Sequence, residues 1–108
     1  MIFSHIDEVC HIVTTDELRS YTASGIIHPE SLDSEGFVHC STSEQVAATL
    51  GRYYANRDDI TVLTLRVADI GPEVRWEESH PGEWFPHVYG PITMTAVVAQ
   101  AQRPAPLG

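Results

Sequence analysis

Helical signals stop half-way along this chain. Apolar residues at helical spacing, preceded by helix-start chemistry, occur in two stretches, from Asp16 to Ala23 and from Glu44 to Ala55. Beyond Thr61 every apolar pattern is short or alternating, as strands require. A doubly wound parallel sheet needs a helix between successive strands, so this order excludes it. The expected fold is α+β. It has a small mixed or antiparallel sheet and two main helices in the N-terminal half, in a single domain over residues 1–108.

The elements follow from local chemistry. Glu8 to Val13 (EVCHIV) is an apolar run that fits a buried strand. Thr14 and Glu17 in "TTDEL" have the spacing of a capping box, which predicts a helix to about Ala23. Leu18 and Tyr21 face inward on it and Gly25 supplies its left-handed stop. "HPESLDSEG" reads as a polar loop, and Phe37 to Ser41 as the second strand. Ser41 or Thr42 then caps a helix carrying Val46, Ala47, Leu50, Tyr53 and Tyr54 at helical spacing. Thr61 to Val67 alternates with Leu63, Leu65 and Val67 on one face. Glu73 to Trp76 is a short strand, "EESHPGE" a loop, "FPHVYG" a strand, and Thr95 to Ala101 the last strand before a frayed Pro-rich tail.

Charge narrows the partners. The formal net charge is −9, and all six cations are arginines, scattered along the chain. Gripping a nucleic-acid backbone needs clustered cations, so long RNA or DNA is not an expected partner. No apolar run reaches the length of a membrane span and no signal peptide opens the sequence, so a cytoplasmic protein is the default expectation. Cys10 and Cys40 are too few for a disulfide scaffold and are expected to be reduced.

The residues able to do chemistry are histidines set in apolar strands. Cys10–His11 and His39–Cys40 suggest zinc, but strand neighbours point to opposite faces and no CxxC or HxxxH spacing is present. No metal site is expected. A Cys40 thiolate nucleophile is disfavoured for the same reason, since His39 faces away from it. Ser41, Thr42 and Ser43 sit where a strand yields to a helix, which suits a cap and also an anion-binding mouth. His39 shares a strand face with Ser41. Between Arg75 and Tyr89 lie Trp76, Trp84, Phe85, His87 and Tyr89, enough aromatic surface to stack a flat ring. On strand parity Phe85, His87 and Tyr89 share a face.

Four motifs, "CHIVTTDEL", "EGFVHCSTSEQV", "VRWE" and "FPHVYGPI", resemble in order and spacing the bacterial domain-of-unknown-function family numbered 952. Cys10 stands where that family usually has an aromatic, and Leu18 where a Trp often follows the first strand. The resemblance implies an ADP-ribosylation-like fold, whose members split NAD at the nicotinamide ribose bond. It places His11 where a first-strand histidine meets the nicotinamide ribose, and Ser41-Thr42-Ser43 where another branch carries a Ser-Thr-Ser. Transferases of that fold use a late-strand glutamate. Here Pro86 and His87 stand near that place, leaving Glu77 of "RWE" as the carboxylate that could reach it.

The resulting expectation is a small-molecule cleft for a nucleotide-like or other small anionic ligand, with NAD or ADP-ribose as candidate and ADP-ribosyl transfer as a possible activity. His11, His39, Glu77 and His87 would do the chemistry. Ser41, Thr42, Ser43, Trp76 and Tyr89 would bind. The alternatives are a histidine/glutamate acid–base hydrolase or isomerase, and a non-catalytic module that offers its aromatic patch to a protein.

Overall fold

The structure, a computed structural model, describes Phe3 and residues 5–103. The expected frayed tail lies outside the described residues. In chain order the elements are β1 (Glu8–Thr14), α1 (Thr15–Ser24), β2 (Ile26–Ile27), α2 (Glu30–Ser34), β3 (Val38–His39), α3 (Val46–Tyr53), β4 (Ile60–Arg66), β5 (Val74–His80), β6 (Glu83–Val88), β7 (Ile92–Thr93) and β8 (Val97–Gln102). All pairings are antiparallel. The strands form two three-stranded sheets, β1-β4-β8 and β3-β6-β5, and the small pair β2-β7. The fold is α+β, as the distribution of periodicities requires.

Among the described residues one isolated backbone bridge joins the two larger sheets. Cys10 on β1 pairs with Ser41 just after β3, with Cys10 N–H to Ser41 O at 2.7 Å and the return bond at 2.8 Å. Under this junction lies a core of Val9, Val13, Val38, Leu63, Leu65, Val88, Ile27 and Ile92. Burying such side chains contributes about 1.5–3 kcal/mol each, which drives the sheets together.

Helix α1 ends where its sequence chemistry says it should. Thr14 Oγ1 accepts from Glu17 N–H at 3.1 Å and Glu17 Oε1 accepts from Thr14 N–H at 2.8 Å. Gly25 takes φ +79° at the C-terminus and donates to Tyr21 O. Tyr21 is buried and Leu18 packs against the core.

Helix α3 is shorter than the expected Glu44–Ala55 and Val67 falls just beyond β4, and four larger differences from expectation follow. "HPESLDSEG" is not only loop, because Glu30–Ser34 forms a single helical turn entered through extended Pro29. One turn is too short to show helical periodicity. Strand β3 is two residues long, since its continuation leaves the ladder to pair with β1. Strand β5 runs through "EES" to His80, and Pro81-Gly82 makes a tight hairpin into β6. Gly82 supplies φ +79° there, and its N–H donates to Glu78 Oε2 at 2.7 Å. Pairing with β6 overrides the weak strand propensity of Glu77 and Glu78. Finally, a 3₁₀ turn at Met94–Ala96 delays β8 to Val97.

Ser41 and Thr42 also separate. Thr42 Oγ1 accepts from Gln45 N–H at 3.2 Å, and Gln45 Oε1 accepts from Thr42 N–H at 2.9 Å, a capping box one turn ahead of α3. Ser41 is not a cap; it is buried at the sheet junction. Substituting Thr14 or Thr42 by alanine is expected to lower stability by about 1 kcal/mol in each case. Urea unfolding of both variants checks this through a lower midpoint at unchanged slope.

Candidate functional site

The junction between the sheets creates the site. Along β1 the rungs to β4 fall at odd positions, as the flanking bonds Val67 N–H to Asp7 O and Thr15 N–H to Asp59 O show. Antiparallel alternation therefore turns the backbone groups of Cys10 and Ile12 the other way, toward β3. Cys10 spends its pair on Ser41. The next rung would join Ile12 to His39, and it is missing: the two strands splay. Ile12 N–H and C=O thus face an open seam, where no backbone partner takes them among the described residues. The seam opens into a cavity of about 650 Å³.

A side chain occupies part of the missing rung. His11 is buried, and its Nδ1–H donates to the His39 carbonyl at 2.7 Å. A carbonyl only accepts, so Nδ1 carries the proton and Nε2 is left with a lone pair in the neutral ring. Burial holds the His11 imidazole below its ordinary value of 6.5, and the His39 carbonyl opposes that shift without cancelling it. His11 is therefore a neutral hydrogen-bond acceptor at the seam.

His87 on β6 also lines the cavity. Its Nδ1–H donates to Glu77 Oε1 at 2.8 Å, and the same oxygen accepts from Tyr89 Oη at 2.6 Å. Those two bonds, Tyr89's first, hold the Glu77 carboxyl below the usual carboxylate range. Phe37 stacks on the His87 ring at 4.1 Å and 18°. The carboxylate and the stack fix the tautomer and the orientation of His87, leaving Nε2 as its free edge. His39 lines the cavity too; its Nε2 is bonded to Glu35 and its ring lies 5.4 Å from that of His87.

The structure brings together His11, His39, Ser41 and His87 around one cavity. Glu77 and Tyr89 stand behind His87 as its support and do not line the cavity. Thr42 and Ser43 also lie outside the lining, because Thr42 is turned to its box with Gln45. Trp76 is held elsewhere: it packs against the core and stacks on Phe3 at 4.1 Å. As β-strand neighbours, Trp76 and Glu77 must diverge, so only one of them can face the histidines. Sequence reasoning missed Ile12, Arg52, Tyr53 and His80. For Ile12 no side-chain signal exists, since its contribution is backbone. Among the described residues no cluster of three or more His, Cys, Asp or Glu is placed to hold a metal ion.

Cys40 offers no nucleophile. It is buried, and desolvation pushes its thiol up, away from the thiolate.

A family model described as "Protein of unknown function (DUF952)" matches residues 12–100. The chain belongs to the DUF952 family. The crystal structure of protein CC0527 from Caulobacter crescentus superposes with a TM-score of 0.80 at 25% identity, covering 88% of this chain and 84% of that one. The solution NMR structure of CC0527 gives a TM-score of 0.75 at 26% identity, covering 88% and 83%. No curated protein matches the chain.

No helix among the described residues is long and apolar enough to cross a membrane.

The depressed His11 value has a measurable consequence. The unfolded chain protonates this imidazole near 6.5 and the folded chain only at lower pH. Stability from this residue is therefore complete above 6.5 and is lost as pH falls toward the depressed folded value. His11→Gln keeps an N–H for the His39 carbonyl and removes the titration. Between about pH 7.5 and about pH 5.5 the wild type is expected to lose more unfolding free energy than the variant. Urea titrations of both proteins at the two pH values check this, and groups common to both cancel in the comparison.

Proposed function

We propose that the cleft binds a small ligand through a ring-borne carboxamide, of the nicotinamide-nucleotide class. The observation that carries this reading is the open rung at Ile12. One N–H donor and one C=O acceptor on the same strand residue match the C=O and NH2 of a primary carboxamide, as a neighbouring strand would. His11 Nε2 adds an acceptor for a ribose hydroxyl beside that rung, and Ser41 also lines the cavity. Phe85, Tyr53 and Tyr54 supply aromatic surface to the cavity. The resemblance to ADP-ribosylation proteins points to the same ligand class, as an association from sequence motifs.

Transfer of ADP-ribose asks more of the site. Glu77 is engaged by His87 and Tyr89 and stands outside the cavity lining, so His87 Nε2 is the group positioned to accept or deliver a proton at the ligand. That same dyad supports a second reading, a histidine acid–base hydrolase acting on a carboxamide or ester, in which Glu77 orients the ring. A protein-docking module is less well supported. The exposed large apolar side chains Ile26, Tyr53 and Val98 lie on three separate elements, none within the aromatic stretch from Arg75 to Tyr89.

Carboxamide and carboxylate ligands separate the rung hypothesis cleanly. A carboxylate has no donor for the Ile12 carbonyl and sets negative charge against it. Nicotinamide mononucleotide is expected to raise the melting temperature, whereas the mononucleotide of nicotinic acid is not. At about 100 times Kd the stabilisation amounts to about 2.7 kcal/mol. Equal shifts from the two ligands, or none from either, would refute the rung as the recognition element. If ligand is consumed, His87→Gln should abolish turnover and Glu77→Gln should reduce it while binding persists.

A further inference from the structure

We propose that Arg52, with His80 as its positioning partner, is the phosphate anchor of this cleft, so that the ligand is a phosphorylated nucleoside and not a free nucleobase. The inference rests on the carboxamide reading above and extends it to the ligand's other end.

The charges lining the cavity are divided by element. Glu17, Glu30 and Glu35 come from α1, from α2 and from the residue just past α2, whereas Arg52 on the last turn of α3 is the one cation in the lining among the described residues. Each of these facts matters because the chain as a whole carries −9 and would repel an anion without a local cation. Arg52 is also kept available. Arg19, Arg57, Arg66 and Arg75 each meet a carboxylate within 4 Å, and Arg103 donates to the Tyr54 carbonyl. Arg52 instead donates from Nη1 to His80 Nε2 at 3.0 Å. An accepting Nε2 means a neutral imidazole, so the guanidinium is oriented without being neutralised, and its remaining N–H groups have no partner among the described residues.

His80 is itself held in place. It ends β5 at the Pro81-Gly82 hairpin, and its ring meets Phe85 edge-on at 6.2 Å. Next to Arg52, the Tyr53 ring is well exposed and lies 5.9 Å from the guanidinium carbon. An exposed aromatic beside a cation suits the base or sugar next to a phosphate. The helix is anchored for this task from its other end: Gln45 Nε2 donates to Trp84 O at 2.8 Å, tying the start of α3 to β6.

Isothermal titration with three probes tests the assignment: nicotinamide riboside, nicotinamide mononucleotide and inorganic phosphate, each against the wild type, Arg52→Gln and Arg52→Lys. The wild type is expected to bind the mononucleotide at least tenfold more tightly than the riboside. Arg52→Gln should erase that gap while leaving riboside affinity unchanged, and Arg52→Lys should restore part of it. Arg52 is exposed, so the ligand-free melting temperatures should match, which excludes a folding defect. A tenfold gap that survives Arg52→Gln would place the phosphate elsewhere and overturn this inference while the carboxamide reading stands. Inorganic phosphate bound at Arg52 with no advantage for the mononucleotide would overturn it as well. Binding of none of the nicotinamide probes would overturn both readings.

Discussion

One antiparallel bridge, Cys10 with Ser41, holds the two halves of this molecule against each other. It lets β1 belong to one sheet and the β3 segment to the other while keeping the core beneath continuous. A longer ladder would have closed the seam and produced one ordinary sheet. Because pairing is made at Cys10 and abandoned at Ile12, the strands part over a single residue step, and the cavity begins where they part.

The side chains around that point respond to the same constraint. A strand edge that loses its partner inside a protein leaves polar backbone groups to be satisfied. His11 answers for the His39 carbonyl, and burial keeps the ring neutral while it does so. His39 in turn is steadied by Glu35, and His87 by Glu77, with Phe37 stacked on His87. Each histidine therefore uses one nitrogen for structure and keeps the other. This is why polar groups can persist at an otherwise apolar junction: every buried side-chain nitrogen and oxygen among the described residues has a partner.

The local rules were legible where they act over a few residues. The Thr14–Glu17 box, the Gly25 stop and the alternation of β4 all follow from spacing alone. Three of the histidines were also readable, because a titratable ring inside an apolar strand needs a reason to be there. What sequence could not supply was long-range pairing. Thr42 and Ser41 are chemically interchangeable as caps, and only the distant contact with Cys10 removes Ser41 from that role. Trp76 and Glu77 are adjacent, so the strand can present one of them to the histidines; the pairing of β5 with β6 chooses Glu77. Arg52 and His80 lie 28 residues apart, and neither looks distinctive until α3 and the β5–β6 hairpin are brought together.

The same geometry sorts the chemistries the cleft can support. A thiol mechanism at Cys40 is disfavoured because its burial at the junction pushes the thiol up, away from the thiolate. Glu77 stands outside the cavity lining, its Oε1 shared by Tyr89 and His87, so in this geometry it supports the His87 ring. Around the seam itself stand an imidazole lone pair at His11, a hydroxyl at Ser41, the oriented ring of His87 and the open backbone of Ile12, while Glu17, Glu30 and Glu35 line the cavity from α1 and from around α2. The groups at the seam would suit the uncharged carboxamide ring proposed above better than an anion. The charge for the phosphorylated ligand proposed above would then come from the α3 end of the cavity, where the Arg52 guanidinium faces an imidazole and, among the described residues, meets no carboxylate.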